Sequence, residues 1–159
     1  FNHDVAYFMQ RDGSINLVDT SLNVLLEKGY SFLELITRDY LAAYENNAFS
    51  LVNYKTGNIS ENTFSRIIPS HNPDYFIVNS KNYDDRVPGV GTPEANFINY
   101  KAEILSSISY HLILPAGGDH FIGKIENSYY LIDINGKRLH ENPVKSKADN
   151  KNGDIIVPS

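Results

Sequence analysis

Short apolar runs recur along this chain, each closed by Gly, Asn, Asp, Ser or Pro. The clearest is an apolar pair followed by Asp or Asn: Leu17-Val18-Asp19, Leu51-Val52-Asn53, Phe97-Ile98-Asn99 and Leu131-Ile132-Asp133. Val18, Val52, Ile98 and Ile132 follow one another at spacings of 34, 46 and 34 residues, a period that signals structural repeats. An aromatic-led segment precedes each pair: "AYFMQ" (6–10), "YLAAY" (40–44), "YFIVN" (75–79) and "HFIGKI" (120–125). A second apolar segment follows, ending in Pro in three of four cases: "FLELIT" (32–37), "FSRIIP" (64–69), "HLILP" (111–115) and "DIIVP" (154–158). Short runs rich in β-branched and aromatic residues, bounded by turn formers, read as strands.

The pattern therefore predicts strands near 6–10, 15–19, 32–37, 40–44, 49–54, 64–69, 75–79, 96–100, 110–114, 120–125, 129–134 and 154–157. The best helical rival is 21–36, but Gly29 interrupts it and strands occupy that place in the other repeats. The predicted fold is all-β: four degenerate three-stranded antiparallel units over about 5–37, 39–70, 74–116 and 119–158, in one domain of residues 1–159. A lone three-stranded meander cannot bury its apolar face, so the units must stack, in propeller-like closure or as a closed or rolled sheet. Adjacent strand residues point to opposite faces. Leu17, Leu51, Phe97 and Leu131 should form one column, and Val18, Val52, Ile98 and Ile132 another. At least one column should be buried throughout. Pro69, Pro115 and Pro158 should end their strands, because Pro cannot donate to a ladder. Tyr7, Tyr40, Tyr75 and His120 should lead equivalent strands, with the tyrosines in the core.

"YYLIDINGKRL" (129–139) admits two readings. Asp133-x-Asn135-Gly136 resembles the start of a calcium loop, but Lys137 and Arg138 stand where further oxygen ligands belong. Asp133 also shares the column of Asp19, Asn53 and Asn99, where Asx side chains cap a turn. Gly57 and Gly136 supply positive φ cheaply, with Asn23 at the offset of Gly57. A hairpin is expected, and no metal.

A unit of aromatic strand, apolar-apolar-Asp hairpin with Gly, and apolar-apolar-Pro resembles the bacterial WG (KWG) β-repeat family. "YYLIDINGKRL" followed by "IIVP", and "FSLVNYKTGNI" followed by "IIP", carry the likeness. The Trp-Gly pair that names the family is missing: the chain has no Trp, and Asn16, Ser50, Asn96 and Tyr130 precede the apolar pairs. The resemblance implies a β-rich array in bacterial proteins, often secreted or envelope-associated, and transfers no catalytic residues.

Composition narrows the function classes. At 159 residues with 42% hydrophobic content, the chain can bury a core. Its net charge of −5 gives no general attraction to nucleic acid. There is no Cys, so disulfides and thiol chemistry are excluded. No apolar run reaches the ~20 residues of a membrane span, and no membrane insertion is expected. A start at Phe1 rather than Met leads us to expect something upstream, and a removed signal peptide, a longer parent chain and a disordered or omitted start would look the same. The family resemblance, not this start, implies a secreted, periplasmic or surface location over the cytoplasm. The five His (His3, His71, His111, His120, His140) form no metal pattern. Asp119 and His120 are adjacent, so strand geometry would turn them apart. "GVGTP" (89–93) lacks the Lys and helix of a phosphate loop, and no G-x-S-x-G elbow occurs. Asp74, Asp84 and Asp85 are the one candidate carboxylate group for glycoside chemistry. No cofactor and no enzymatic activity are expected.

The repeats differ most in two insertions, "KNYDDRVPGVGTPEA" (81–95) and "HENPVKSKADNKNG" (140–153). Insertions in repeat arrays map to loops, where function concentrates. The candidate binding residues are Tyr83, Asp84, Asp85, Arg86 and Val90, in the first insertion. The expected function is protein–protein recognition by a non-catalytic module, either envelope-associated or an immunity-type inhibitor. The alternative is a carbohydrate-binding or carbohydrate-active domain using surface Tyr as stacking platforms.

Overall fold

A computed structural model describes residues 4–80 and 94–145. Those residues hold eleven strands and no helix: β1 (Val5–Met9), β2 (Ile15–Asp19), β3 (Phe32–Leu35), β4 (Tyr40–Glu45), β5 (Ala48–Asn53), β6 (Ile59–Pro69), β7 (Tyr75–Ser80), β8 (Ala95–Asn99), β9 (Leu112–Gly117), β10 (His120–Ile125) and β11 (Ser128–Ile132). Every registered pair is antiparallel. The protein is all-β, and segment 21–31 is irregular rather than helical. No helix among the described residues is long and apolar enough to cross a membrane. The segment 154–157, expected as a last strand, lies outside the described residues, as does Pro158.

The chain divides into two compact units, Phe1–Ile67 and Ile68–Ser159, each containing two repeats. In the first, β1 pairs with β2, and β3, β4, β5 and β6 lie side by side in that order. In the second, β7 pairs with β8, and β10 lies between β9 and β11. The same hairpin closure occurs in all four repeats. Ile15 faces Tyr30, Phe49 faces Phe64, Ala95 faces Tyr110 and Tyr129 faces Val144.

In the first and third repeats the third strand does not complete its own sheet. β3 follows the first repeat but pairs with β4 of the second, and β9 follows the third but pairs with β10 of the fourth. This exchange brings one repeat's face onto the next. The core of the first unit joins Leu17 and Tyr30 to Leu33, Leu41, Ala43 and Val52. The second unit repeats the arrangement, joining Phe97 and Tyr110 to Ile113, Phe121 and Ile132. Phe97 and Phe121 meet edge to face, with ring centroids 4.8 Å apart.

This stacking corrects the expected burial pattern. Leu17, Leu51 and Phe97 are buried, but Leu131 is half-buried; Val52, Ile98 and Ile132 are buried, but Val18 is half-buried. Neither column is buried throughout. Val18 sits on the face of the first repeat turned away from the second, and Leu131 on the face of the fourth turned away from the third. The tyrosine alignment also changes. Val5, Tyr40 and Tyr75 face Asp19, Asn53 and Asn99, so Tyr7 stands two places out of line. Tyr7 is half exposed, Tyr40 and Tyr75 are half-buried and His120 is exposed, so this column is not core. Pro115 does not end its strand: it faces Phe121 beside a bulge, and β9 continues to Gly117. A bulge leaves ladder groups unpaired, which is where Pro is tolerated.

The Asx residues cap the hairpins as expected. The Asp133 Oδ1 accepts the backbone N–H groups of Asn135 and Lys137, and Asp19 Oδ1 accepts those of Ser21 and Asn23. Asn53 and Asn99 act in the same way. The left-handed position is filled by Gly57 and Gly136, but in the other repeats by Leu22 (φ 66°) and Ala102 (φ 62°), not by Asn23. An L-residue there costs about 1–2 kcal/mol, and Leu22 is 77% exposed, so burial does not offset the strain. Leu22→Gly is expected to stabilise the first unit by ~0.5–1 kcal/mol, the gain being reduced by the greater chain entropy of Gly. Urea denaturation checks this; a destabilised variant would show that the Leu22 side chain is held by packing.

Candidate functional site

A row of aromatic residues crosses the sheet of the first unit. Phe32 of β3 faces Tyr44 of β4, Tyr44 faces Phe49 of β5, and Phe49 faces Phe64 of β6. Residues directly opposite across antiparallel strands project from the same side, so the four rings share one face. The opposite face carries Leu33, Leu41 and Val52 into the core. Exposure grades along the row: Phe32 is 50% exposed, Tyr44 and Phe49 are half-buried, and Phe64 is buried. The rings of Tyr44 and Phe49 are 4.9 Å apart and tilted by 50°. The Tyr44 hydroxyl donates to Asn47 Oδ1 in the adjoining tight turn, and exposed Glu34 lies on the same face as Phe32. The row thus offers an apolar centre with a hydroxyl and a carboxylate near it. Its members come from four successive strands. Only the pairing of β3 with the next repeat brings Phe32 beside Tyr44, so the linear sequence did not mark them as a group.

The five residues singled out by sequence, Tyr83, Asp84, Asp85, Arg86 and Val90, lie outside the described residues. The structure does define where their segment is anchored. Asn79 faces Ala95, and the Ser80 N–H donates to the Glu94 carbonyl, which brings the two ends of the segment together. The supporting hairpin is packed hard: Phe76, Ile77, Val78, Ala95, Phe97 and Ile98 are all buried. Ala95 therefore belongs to the core, and the insertion is shorter than 81–95. The corresponding turns in the second and fourth repeats are tight, at Asn46-Asn47 and Glu126-Asn127.

Among the described residues, no three His, Asp or Glu side chains gather as a metal site would require. Asp119 lies in the turn before β10 rather than in a strand, and both it and His120 are exposed. His71 packs its ring 5.7 Å from that of Phe121. Asp74 is exposed, and its possible partners Asp84 and Asp85 are not described. The acids whose titration is displaced are turn caps. The Asp19 carboxyl is held below the usual range by the Asn23 backbone N–H and then by the Asn23 side chain. The Asp12 carboxyl is lowered by the Ser14 hydroxyl and then by its N–H. A lowered pKa gives stability that is present above the ordinary carboxylate range and lost as pH falls through the lowered value. These two acids therefore support turns rather than chemistry.

Searches against known protein families and against curated proteins find no significant match to the chain.

Proposed function

We propose that this protein is a non-catalytic binding module that recognises another protein. It is built of four degenerate units stacked in a propeller-like or rolled arrangement of the WG-repeat kind, in a bacterial secreted or envelope-associated setting or as an immunity-type inhibitor. The observation that carries the reading is the aromatic row of Phe32, Tyr44 and Phe49, graded from exposed to buried on one sheet face. Protein interfaces draw most of their energy from such partly buried aromatics with polar groups at the rim. Loop residues Tyr83, Asp84, Asp85, Arg86 and Val90 are assigned to a second contact region, launched from the rigid β7–β8 hairpin. The second reading, glycan recognition, draws on the same row and on Glu34. The 50° tilt between Tyr44 and Phe49 disfavours it, because a sugar ring stacks on a flat platform.

The test uses the whole chain with three changes: Phe32→Ala, Tyr44→Ala, and replacement of 81–93 by Asn-Asn after the second repeat's turn. Each is measured for binding to the protein recovered by cross-linking from its source cells, and to a panel of soluble polysaccharides. Loss of at least ~10-fold in protein binding for Phe32→Ala, with the fold retained, is the expected result. Loop replacement should also keep the fold, since closure entropy changes little with length. Saturable polysaccharide binding that Phe32→Ala abolishes, with protein binding unchanged, would replace this reading with the second.

A further inference from the structure

Resting on the protein-recognition reading, we propose that this chain also binds a second copy of itself, head to tail. The outer face of the fourth repeat docks on the outer face of the first repeat of the next copy. Stacking inside each compact unit has a direction. Leu17 and Tyr30 of the first repeat share a core with Leu41, Ala43 and Val52 of the second. Phe97 and Tyr110 of the third share one with Phe121 and Ile132 of the fourth. The Leu17 column of one repeat thus turns forward onto the Val52 column of the next. Register places three residues at the centre of each receiving face: Leu41, Ala43 and Val52 in the second repeat, and Phe121, Gly123 and Ile132 in the fourth. In the third they are Phe76, Val78 and Ile98. All of these are buried. The first repeat holds Ala6, Phe8 and Val18 in the same places, and all three are only half-buried.

The forward faces show the converse. Ala42 and Leu51 of the second repeat, and Ile77 and Phe97 of the third, are buried. Their counterparts in the fourth, Ile122 and Leu131, are half-buried, and Leu114 and Tyr129 on the same face are exposed. Repeat arrays that stay monomeric end in polar caps, whereas both ends here are apolar. Side-chain size selects another copy of this chain over an unrelated apolar surface. At the inner contacts a ring from the hairpin closure meets a small residue. Tyr30 shares a core with Ala43, and a Cβ on Gly123 would fall 2.5 Å from Tyr110. At the two ends the sizes are exchanged. The closure of the fourth repeat carries half-buried Val144, and the place of Ala43 in the first repeat carries Phe8. A contact between the ends therefore still joins one ring to one smaller side chain. The forward and receiving faces differ, so the contact is heterologous and propagates from copy to copy.

Light scattering of the whole protein tests this. The mass is expected to rise with concentration past that of a dimer by ~1 mM. Val18→Glu and Leu131→Glu each place a charge in one end and should weaken association at least ~10-fold. Each variant keeps the end that the other has lost. An equimolar mixture of the two should therefore form a dimer that does not grow further. Ala6→Glu and Ile122→Glu repeat the test on the same two faces if either first variant fails to fold, and the mass of the unaltered protein decides the matter without any variant. A monomer throughout would overturn the proposal, whether the faces are covered within the chain or do not associate. So would a mixture that stays monomeric, association that none of the four changes weakens, or an unaltered dimer that does not grow. If self-association is absent while the recovered protein still binds and Phe32→Ala releases it, the head-to-tail proposal fails and protein recognition stands. Binding to polysaccharide alone would remove the broader reading instead.

Discussion

Tyr110→Ala is expected to lower the stability of the second compact unit by ~3–5 kcal/mol, the range for emptying a large aromatic site in a core. Tyr110 is fully buried and faces Ala95 at the hairpin closure. Its hydroxyl donates to the Gly136 carbonyl of the next repeat, and burial pushes its pKa above the ordinary tyrosine value. The ring lies so close to Gly123 that a Cβ there would fall 2.5 Å from Tyr110 Cδ1 and 2.9 Å from Ile132 Cδ1. The first unit shows the same device, with Tyr30 and Ala43 in one core. A ring at the end of one repeat thus requires a small residue on the facing strand of the next. Tyr110→Phe keeps the ring and should cost only ~0.5–1.5 kcal/mol, for the lost hydrogen bond. Gly123→Ala should cost ~1–3 kcal/mol by overpacking. In the Tyr110→Ala background that cost should shrink, because the space is already open; a double-mutant cycle measures the difference. Urea denaturation followed by tyrosine fluorescence suits a protein with 11 Tyr and no Trp. A loss below ~1 kcal/mol for Tyr110→Ala would show that the repeats do not lock through this ring.

Leu17→Ala and Leu131→Ala occupy the same column of the repeat and should nevertheless differ. Leu17 is fully buried against residues of the second repeat, so its truncation should cost ~2–5 kcal/mol. Leu131 is half-buried on the face of the fourth repeat turned away from the third, and its loss should cost less than half as much. The comparison isolates tertiary position, because sequence context and strand type are alike. Equal losses would mean that the column is packed in the same way in every repeat and that its ends are covered.

The sequence by itself determined the local structure. Strand positions follow from apolar runs bounded by turn formers, and ten of the eleven strands start within two residues of a predicted start; β6 begins earlier, at Ile59. The turns at Asp19, Asn53, Asn99 and Asp133 were legible because an Asx side chain reaches only N–H groups a few residues away. What the sequence left open is what depends on partners distant along the chain. The position of β3 beside β4, the passage of β9 through Pro115, and the different fates of Leu17 and Leu131 are decided by which repeat lies against which. Alternation within a strand specifies that two faces differ, but not what covers each. The aromatic row has the same origin: Phe32, Tyr44 and Phe49 are unremarkable in their own segments and become a surface only through pairing between repeats. Even at Leu22 local preference yields, since its left-handed conformation is imposed by a hairpin whose ends are fixed by the ladder on either side.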